Sequence, residues 1–221
     1  MDEPRHGAVV RCNRPADGRS VSIVLLIRHG HCEPVGRSIA GRSPGVHLDE
    51  TGRGQARTLA DALAGLPLAA VYSSPLERAQ ETAAPLAEGA GVTLRISYGL
   101  EELDYGAWTG RTLESLAGEP LWVRYNSERG ATRIPGGETM REVVERAAAA
   151  VAEMSAAHQQ GIAAAVTHGD VIRALLATYL GMGLDHMLRL EVAPGSVSAV
   201  RFAPQPQILT VNWVPDLAGA C

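Results

Sequence analysis

The run Val21 to Ile27 (VSIVLLI), which stops at Arg28-His29-Gly30-His31, constrains this chain most. A near-continuous stretch of β-branched and aliphatic residues leaves no face for water, so it fits a strand covered on both sides, as in the middle of a parallel sheet. A strand of that kind needs helices above and below it, and the rest of the pattern supplies them. Ala56, Leu59, Ala60 and Leu63 repeat at helical spacing in a segment that starts at Thr51, and Ala69 to Tyr72 reads as a second short strand. Ser74, Pro75 and Glu77 read as a helix start: the Ser caps an orphan amide, Pro suits the first helical position, and Glu reaches back to the cap. That helix is expected to run to about Glu88.

Further on, Val92 to Ile96 reads as a strand. Thr139 and Glu142 make a capping box ahead of Met140, Val143, Val144, Ala147, Ala148, Val151 and Met154, which predict a helix to about His158. Ile162 to Val166 is a buried strand, Val171 to Leu180 a helix, and Val197 to Phe202 and Gln207 to Trp213 are β-like runs. Strands alternating with helices predict a three-layer α/β/α sandwich on a mostly parallel central sheet. Residues 1–20, polar and without periodicity, read as a disordered leader, and 21–221 as one domain with an inserted, lid-like segment at about 99–136.

Composition narrows the function. With 221 residues and 46% hydrophobic content the chain can bury one substantial core, which excludes disorder, collagen and long coiled coil. It has neither an apolar stretch of about 18 residues nor an apolar signal core, so it is expected in the cytoplasm and off the membrane. Cys12, Cys32 and Cys221 form no paired or CxxC pattern, which argues against a disulfide framework or a zinc knuckle. A net charge of −4 and 4% aromatic content argue against a nucleic-acid partner.

In sheets of this kind ligands bind beyond the carboxyl ends of the strands. Three such ends carry charge: Arg28-His29-Gly30-His31, Ser73-Ser74-Pro75 with Arg78 on the helix that follows, and Thr167-His168-Gly169-Asp170. Guanidinium forks and helix N-termini converging on one place match the oxygens of a phosphoryl group. Taken alone, His29 or His168 reads equally as a core histidine, and Arg78 as a solvated helix arginine.

The stretches LIRHGHC, SSPLERAQETA, LEELDYGAWTG, PGGE and VTHGDVIRALL, in that order over about residues 21–180, resemble the histidine phosphatase superfamily, which includes cofactor-dependent phosphoglycerate mutases and many small phosphomonoesterases. PGVHLDETGRGQA and EPLW resemble a bacterial branch often labelled probable phosphomutase. The resemblance implies a phosphoglycerate mutase-like fold and a phosphomonoesterase that needs neither metal nor cofactor. It implies that His29 is the nucleophile, that Arg28, Arg78 and His168 bind phosphate, and that Glu102 is the general acid. If residues 100–105 are extended, only one of Glu101 and Glu102 can enter the pocket.

The chain departs from the family where Glu or Gln, then Ser or Thr, and a later Asn are usual: it has His31, Cys32 and Val35. The long basic and aromatic signature of phosphoglycerate mutases is missing, which favours hydrolysis. Trp122, Arg124, Tyr125, Arg129 and Arg133 stand before PGGE and read either as a substrate lid or as a solvated basic loop. Cys32 beside the nucleophile reads as small packing, or as redox-sensitive if Arg28 stabilises its thiolate. Three other readings stay in play: a phosphomutase, a phosphate-binding module without catalysis, and a metallohydrolase using His29, His31, His168 and Asp170. A homodimer is expected through the strand around Val211 to Val214.

Overall fold

The computed structural model describes residues 21–215 apart from positions 34 and 204. The expected leader, Cys12 and Cys221 lie outside the described residues. Six strands form one sheet: β1 (Ser22–Arg28), β2 (Leu68–Ser73), β3 (Leu94–Ile96), β4 (Ile162–Thr167), β5 (Val197–Ala203) and β6 (Gln205–Trp213). Among the described residues six α-helices accompany them: α1 (Glu50–Leu63), α2 (Glu77–Ala90), α3 (Leu113–Leu116), α4 (Pro120–Ser127), α5 (Met140–Ala157) and α6 (Gly169–Tyr179). The strand order is β3-β2-β4-β1-β5-β6, with the first four parallel and β5 antiparallel to both of its neighbours, β1 and β6. The sheet is therefore mixed, and its parallel half includes the site.

β1 is buried along almost its whole length, as its composition requires. Because strand side chains alternate, its two faces feed separate cores. Val24 and Leu26 pack with Val143, Ala147 and Val151 of α5 and Ile172 and Leu175 of α6. Ile23, Leu25 and Ile27 pack with Leu59 and Leu63 of α1 and Ala79, Ala83 and Leu86 of α2. The sheet is thus sandwiched between α1 and α2 on one side and α5 and α6 on the other. Each fully buried Leu or Ile contributes about 1.5–3 kcal/mol relative to exposure, so a register slip of β1 would exchange both faces and is strongly disfavoured.

The capping box forms as predicted: Thr139 Oγ1 accepts from the Glu142 amide while the Glu142 carboxylate accepts from the Thr139 amide. The predicted helix start at Ser74 needs correction. α2 begins at Glu77 with Leu76 as a cap residue that makes no side-chain bond. The Ser74 hydroxyl is engaged by His168 Nε2 at 2.8 Å and by the Leu76 amide at 3.3 Å, and the Glu77 carboxylate accepts from Gly45 N instead.

Between β3 and α5 the chain carries two 3-10 turns and the short helices α3 and α4. Trp108, Trp122 and Tyr125 hold this segment together, with ring centroids 5.1 to 5.9 Å apart, and Tyr125 is fully buried. Aromatic pairs at these separations add about 0.5–1.5 kcal/mol each beyond the area they bury. Scarce as they are in this chain, the aromatics concentrate where regular structure is thinnest.

Candidate active site

Parallel pairing of β1 with β4 sets Arg28 opposite Thr167, so the residues that follow each strand, His29 and His168, emerge side by side. Their ring centroids are 5.1 Å apart. The loop after β1 is pinned from two directions. Gly30 N donates to Thr82 Oγ1 on α2, and the Gly30–His31 backbone lies against the first turn of α1. A Cβ on Gly52 would sit 2.1 Å from the His31 carbonyl oxygen, so glycine is required there for close approach.

The hydrogen bonds of His29 settle its tautomer. Nδ1 lies 2.7 Å from the Gly30 carbonyl oxygen, which can only accept, so Nδ1 carries the proton and Nε2 keeps its lone pair. Arg78 Nε donates to that Nε2 at 3.3 Å. Burial, reinforced by the positive charges of Arg78 and Arg28, holds the imidazole well below its ordinary titration range, so it stays neutral. Arg78 is itself buried, in the first turn of α2, and its Nη2 donates to Gly41 O at 2.8 Å. Arg28 Nη1 donates to Val192 O at 2.7 Å. Arg28 Nε, Arg78 Nη1 and His168 Nδ1 are buried without a hydrogen-bond partner. Three unsatisfied groups, at or just after the ends of three neighbouring strands, fit an oxyanion with several lone pairs.

These residues border a cavity of about 380 Å³ whose walls include Arg28, His29, Arg78, Glu102, Tyr105, Trp122, Arg129, Asp170 and Arg173. His168 sits just behind this wall, fully buried, between His29 and Ser74. Only one of the two adjacent glutamates enters the cavity, although residues 100–105 are not a continuous extended segment: Leu100 ends one 3-10 turn and Tyr105 precedes the next. Glu102 borders the cavity, and Glu101 turns to Arg42, 3.4 Å away. Withdrawal from water and the charge of Asp170 push the Glu102 carboxyl up to about 7, against the opposing pull of the Leu103 amide, Arg78 and Arg28.

The lid residues divide. Trp122 and Arg129 line the cavity, whereas exposed Arg124 pairs with Glu128 and exposed Arg133 pairs with Glu142, both away from it. Arg124 and Arg133 therefore leave the candidate set: each has a nearby carboxylate at short sequence range and nothing that draws it inward. The Cys32 thiol borders the cavity, and burial pushes its titration upward, outweighing Arg78 and Arg28, so the condition for a reactive thiolate is not met. The metal set does not assemble. His31 pairs with Asp49 at the start of α1, and Asp170 is bound by Arg129 and Arg173. Among the described residues no group of three or more His, Cys, Asp or Glu side chains is placed to hold an ion. No described helix is long and apolar enough to cross a membrane.

Several residues that shape the site carry no signal in the sequence. Arg146 on α5 donates to the carbonyls of Gly99, Glu101 and Glu102, Arg42 Nε donates to the Glu102 carbonyl at 2.9 Å, and Glu138 holds both arginines. The PGGE motif thus ends in the carboxylate that anchors the Glu102 loop. Asp170, Tyr105 and Arg173 are likewise cavity residues, of which only Asp170 is singled out in the sequence, for a metal set that is not formed.

Taken together, the sheet order, the buried histidine pair and the arginine-lined cavity define an α/β protein with a cationic cavity at its strand ends. The family model "Histidine phosphatase superfamily (branch 1)" matches residues 24–214, and the chain belongs to that family. A curated relative named probable phosphoglycerate mutase GpmB, from Salmonella typhi, is 32% identical over 199 residues, covering 89% of this chain and 92% of its own. Among solved structures, a mycobacterial glucosyl-3-phosphoglycerate phosphatase superposes with a TM-score of 0.79 at 26% identity, covering 87% of this chain and 99% of that one. Its complex with inorganic phosphate gives a TM-score of 0.76 at 25% identity, covering 87% and 98%. The phosphoglycerate mutase-like fold expected from the sequence is the fold observed.

Proposed function

We propose that the chain is a phosphomonoesterase that hydrolyses a small phosphorylated metabolite through a phosphohistidine on His29, using neither metal nor cofactor. One observation carries this reading: a neutral imidazole whose unprotonated Nε2 accepts only a long 3.3 Å hydrogen bond from Arg78 stands beside buried Arg78 and half-buried Arg28, on a cavity that also holds a carboxyl titrating near 7.

In the first step His29 Nε2 attacks phosphorus and the ester P–O bond breaks. The leaving alkoxide takes the Glu102 proton, and phosphorus is then bonded to Nε2. Arg28, Arg78 and His168 stabilise charge on the non-reacting oxygens. In the second step Glu102, now a carboxylate, takes a proton from water as the water oxygen attacks phosphorus. The P–N bond breaks, its electron pair returns to Nε2, and inorganic phosphate leaves with Glu102 protonated again.

The pH dependence follows from the two directions. His29 is held below its usual range, so its neutral form persists into acid, while Glu102 loses its proton as pH rises through about 7. Activity is expected to be greatest at acid to neutral pH and to decline above 7. A rate that climbs monotonically to pH 10 contradicts the assignment.

A second reading, transfer to another hydroxyl in place of water, is favoured by the name of the curated relative. Incubation with 3-phosphoglycerate and a panel of sugar, nucleotide and polyol phosphates, scoring free phosphate against isomerised ester, separates the two. Hydrolysis predicts stoichiometric phosphate release, and isomerised product without phosphate release overturns it.

A further inference from the structure

Asp170 takes no part in the phosphoryl transfer described above, yet its carboxylate joins three segments of the cavity wall. Tyr105 Oη donates to Oδ2 at 2.6 Å, Arg129 Nη1 reaches the same oxygen at 3.3 Å, and Arg173 Nη1 reaches Oδ1 at 3.2 Å. Tyr105 lies three residues beyond Glu102 on the same loop. Arg129 follows α4, with its guanidinium 4.5 Å from the Tyr125 ring centroid and bonded to Asn126. Asp170 stands in the first turn of α6, two residues after His168, where the helix N-terminus favours an anion. Burial opposes its ionisation, but Arg129, the Tyr105 hydroxyl and Arg173 outweigh burial and hold it below the usual carboxylate range.

We propose that Asp170 is a positioning residue for Glu102: it ties the acid's loop to the helix that follows His168, and it places a fixed negative charge on the wall of the same cavity. This rests on Glu102 as the proton donor assigned above. Without Asp170 the groups around Glu102 would favour its ionised form. Arg28 at the end of β1, Arg78 on α2 and the Leu103 amide all stabilise the carboxylate. On its own loop, Glu101 is turned away to Arg42, and Tyr105 stays protonated because burial raises it. Arg42 and Arg146 grip the Glu102 carbonyl with Glu138 between them, and Arg129 and Arg173 are both paired with Asp170. Asp170 is the charge that, with withdrawal from water, tips Glu102 toward keeping its proton.

The test has a charge arm and a tether arm. Asp170→Asn removes the charge and keeps the size, whereas Asp170→Glu keeps the charge and disturbs the ties. The Glu102 midpoint is read directly by ¹³C NMR titration of carboxyl-labelled glutamate, with the signal assigned by its loss in Glu102→Gln. In Asp170→Asn it is expected to fall by about one unit, and the high-pH limb of kcat/KM to fall with it, costing about tenfold at pH 8 relative to pH 5. In Asp170→Glu the midpoint is expected to stay near that of the unaltered protein. Identical midpoints in all three proteins overturn the charge role. A midpoint that falls while the kcat/KM limb stays fixed leaves the Asp170 inference standing and overturns Glu102 as the acid. Tyr105→Phe cuts the tether without changing charge: kcat is expected to fall about tenfold with phosphate affinity unchanged, and full kcat overturns the tether whether or not Asp170→Asn folds.

Discussion

Arg28, His29 and His168 stand at the ends of β1 and β4, two strands paired residue for residue from Ile23 opposite Ile162 to Arg28 opposite Thr167. Glu102, Tyr105, Trp122 and Arg129, on the facing wall, come from a stretch in which the longest element is the eight-residue α4. One wall is located by the backbone ladder of a sheet with hydrophobic cores on both faces. The other is held by side chains: Arg42 and Arg146 gripping carbonyls with Glu138 accepting from both arginines, and Asp170 gripping Tyr105 and Arg129. Under the proposed function, the residues assigned to phosphate binding stand on the backbone-located wall and the assigned proton donor on the wall held by side chains. The contrast also sets how each wall should fail. Damage to the sheet side should abolish chemistry, whereas damage to the ties should misplace the acid and soften the fold.

The largest effect is expected at His29. His29→Ala removes the attacking nitrogen and should lower kcat on 4-nitrophenyl phosphate by about 10⁴-fold or more, with the far-UV circular dichroism unchanged. Full activity would mean that the sheet-end histidine is not the nucleophile. Next comes Glu102→Gln on the opposite wall. It should cost about 10²–10⁴-fold on an alkyl phosphate, whose leaving group needs a proton, and far less on 4-nitrophenyl phosphate. An equal loss on both would separate Glu102 from leaving-group protonation.

Arg146→Met tests the ties. It leaves Glu138 short of a partner and the Gly99 and Glu101 carbonyls without a donor, so urea unfolding should show a loss of about 3 kcal/mol together with a reduced kcat. Unchanged stability would refute the claim that side chains hold this wall. Gly169→Ala is the smallest. Its Cβ would sit 3.3 Å from Arg28 Nε and from Arg173 Nη1, so Arg28 must give by a few tenths of an ångström. A KM increase of roughly fivefold, about 1 kcal/mol, is expected with the melting temperature little changed.

The same contrast explains what could be read from the sequence. The VSIVLLI run, the Thr139 to Glu142 box and the Arg-His-Gly and His-Gly pairs that follow strands are local patterns, and each names its own structural context. That only one of Glu101 and Glu102 enters the cavity was legible from the divergence of neighbouring side chains, whereas the preference for Glu102 came from the family resemblance of LEELDYGAWTG. The grip of Arg146 on Glu102 spans 44 residues and that of Arg42 spans 60, and nothing local marks either arginine. Arg124 and Arg133 show the converse. Their basic character suggested a lid, but nearby Glu128 and Glu142 satisfy them at the surface. Ser74 had the appearance of the helix cap, but α2 starts later, with Leu76 as its cap residue, and the Ser74 hydroxyl is shared between the Leu76 amide and His168, 94 residues away.

Covalent capture of the phosphoryl group tests the central claim most directly. Rapid quench of the protein with a ³²P-labelled substrate, followed by mass spectrometry at high pH, should find one phosphoryl group per chain on His29. That group should be stable to alkali, lost in acid, and absent from His29→Ala. Turnover with no trapped phosphoenzyme, or label on any residue other than His29, would contradict the account.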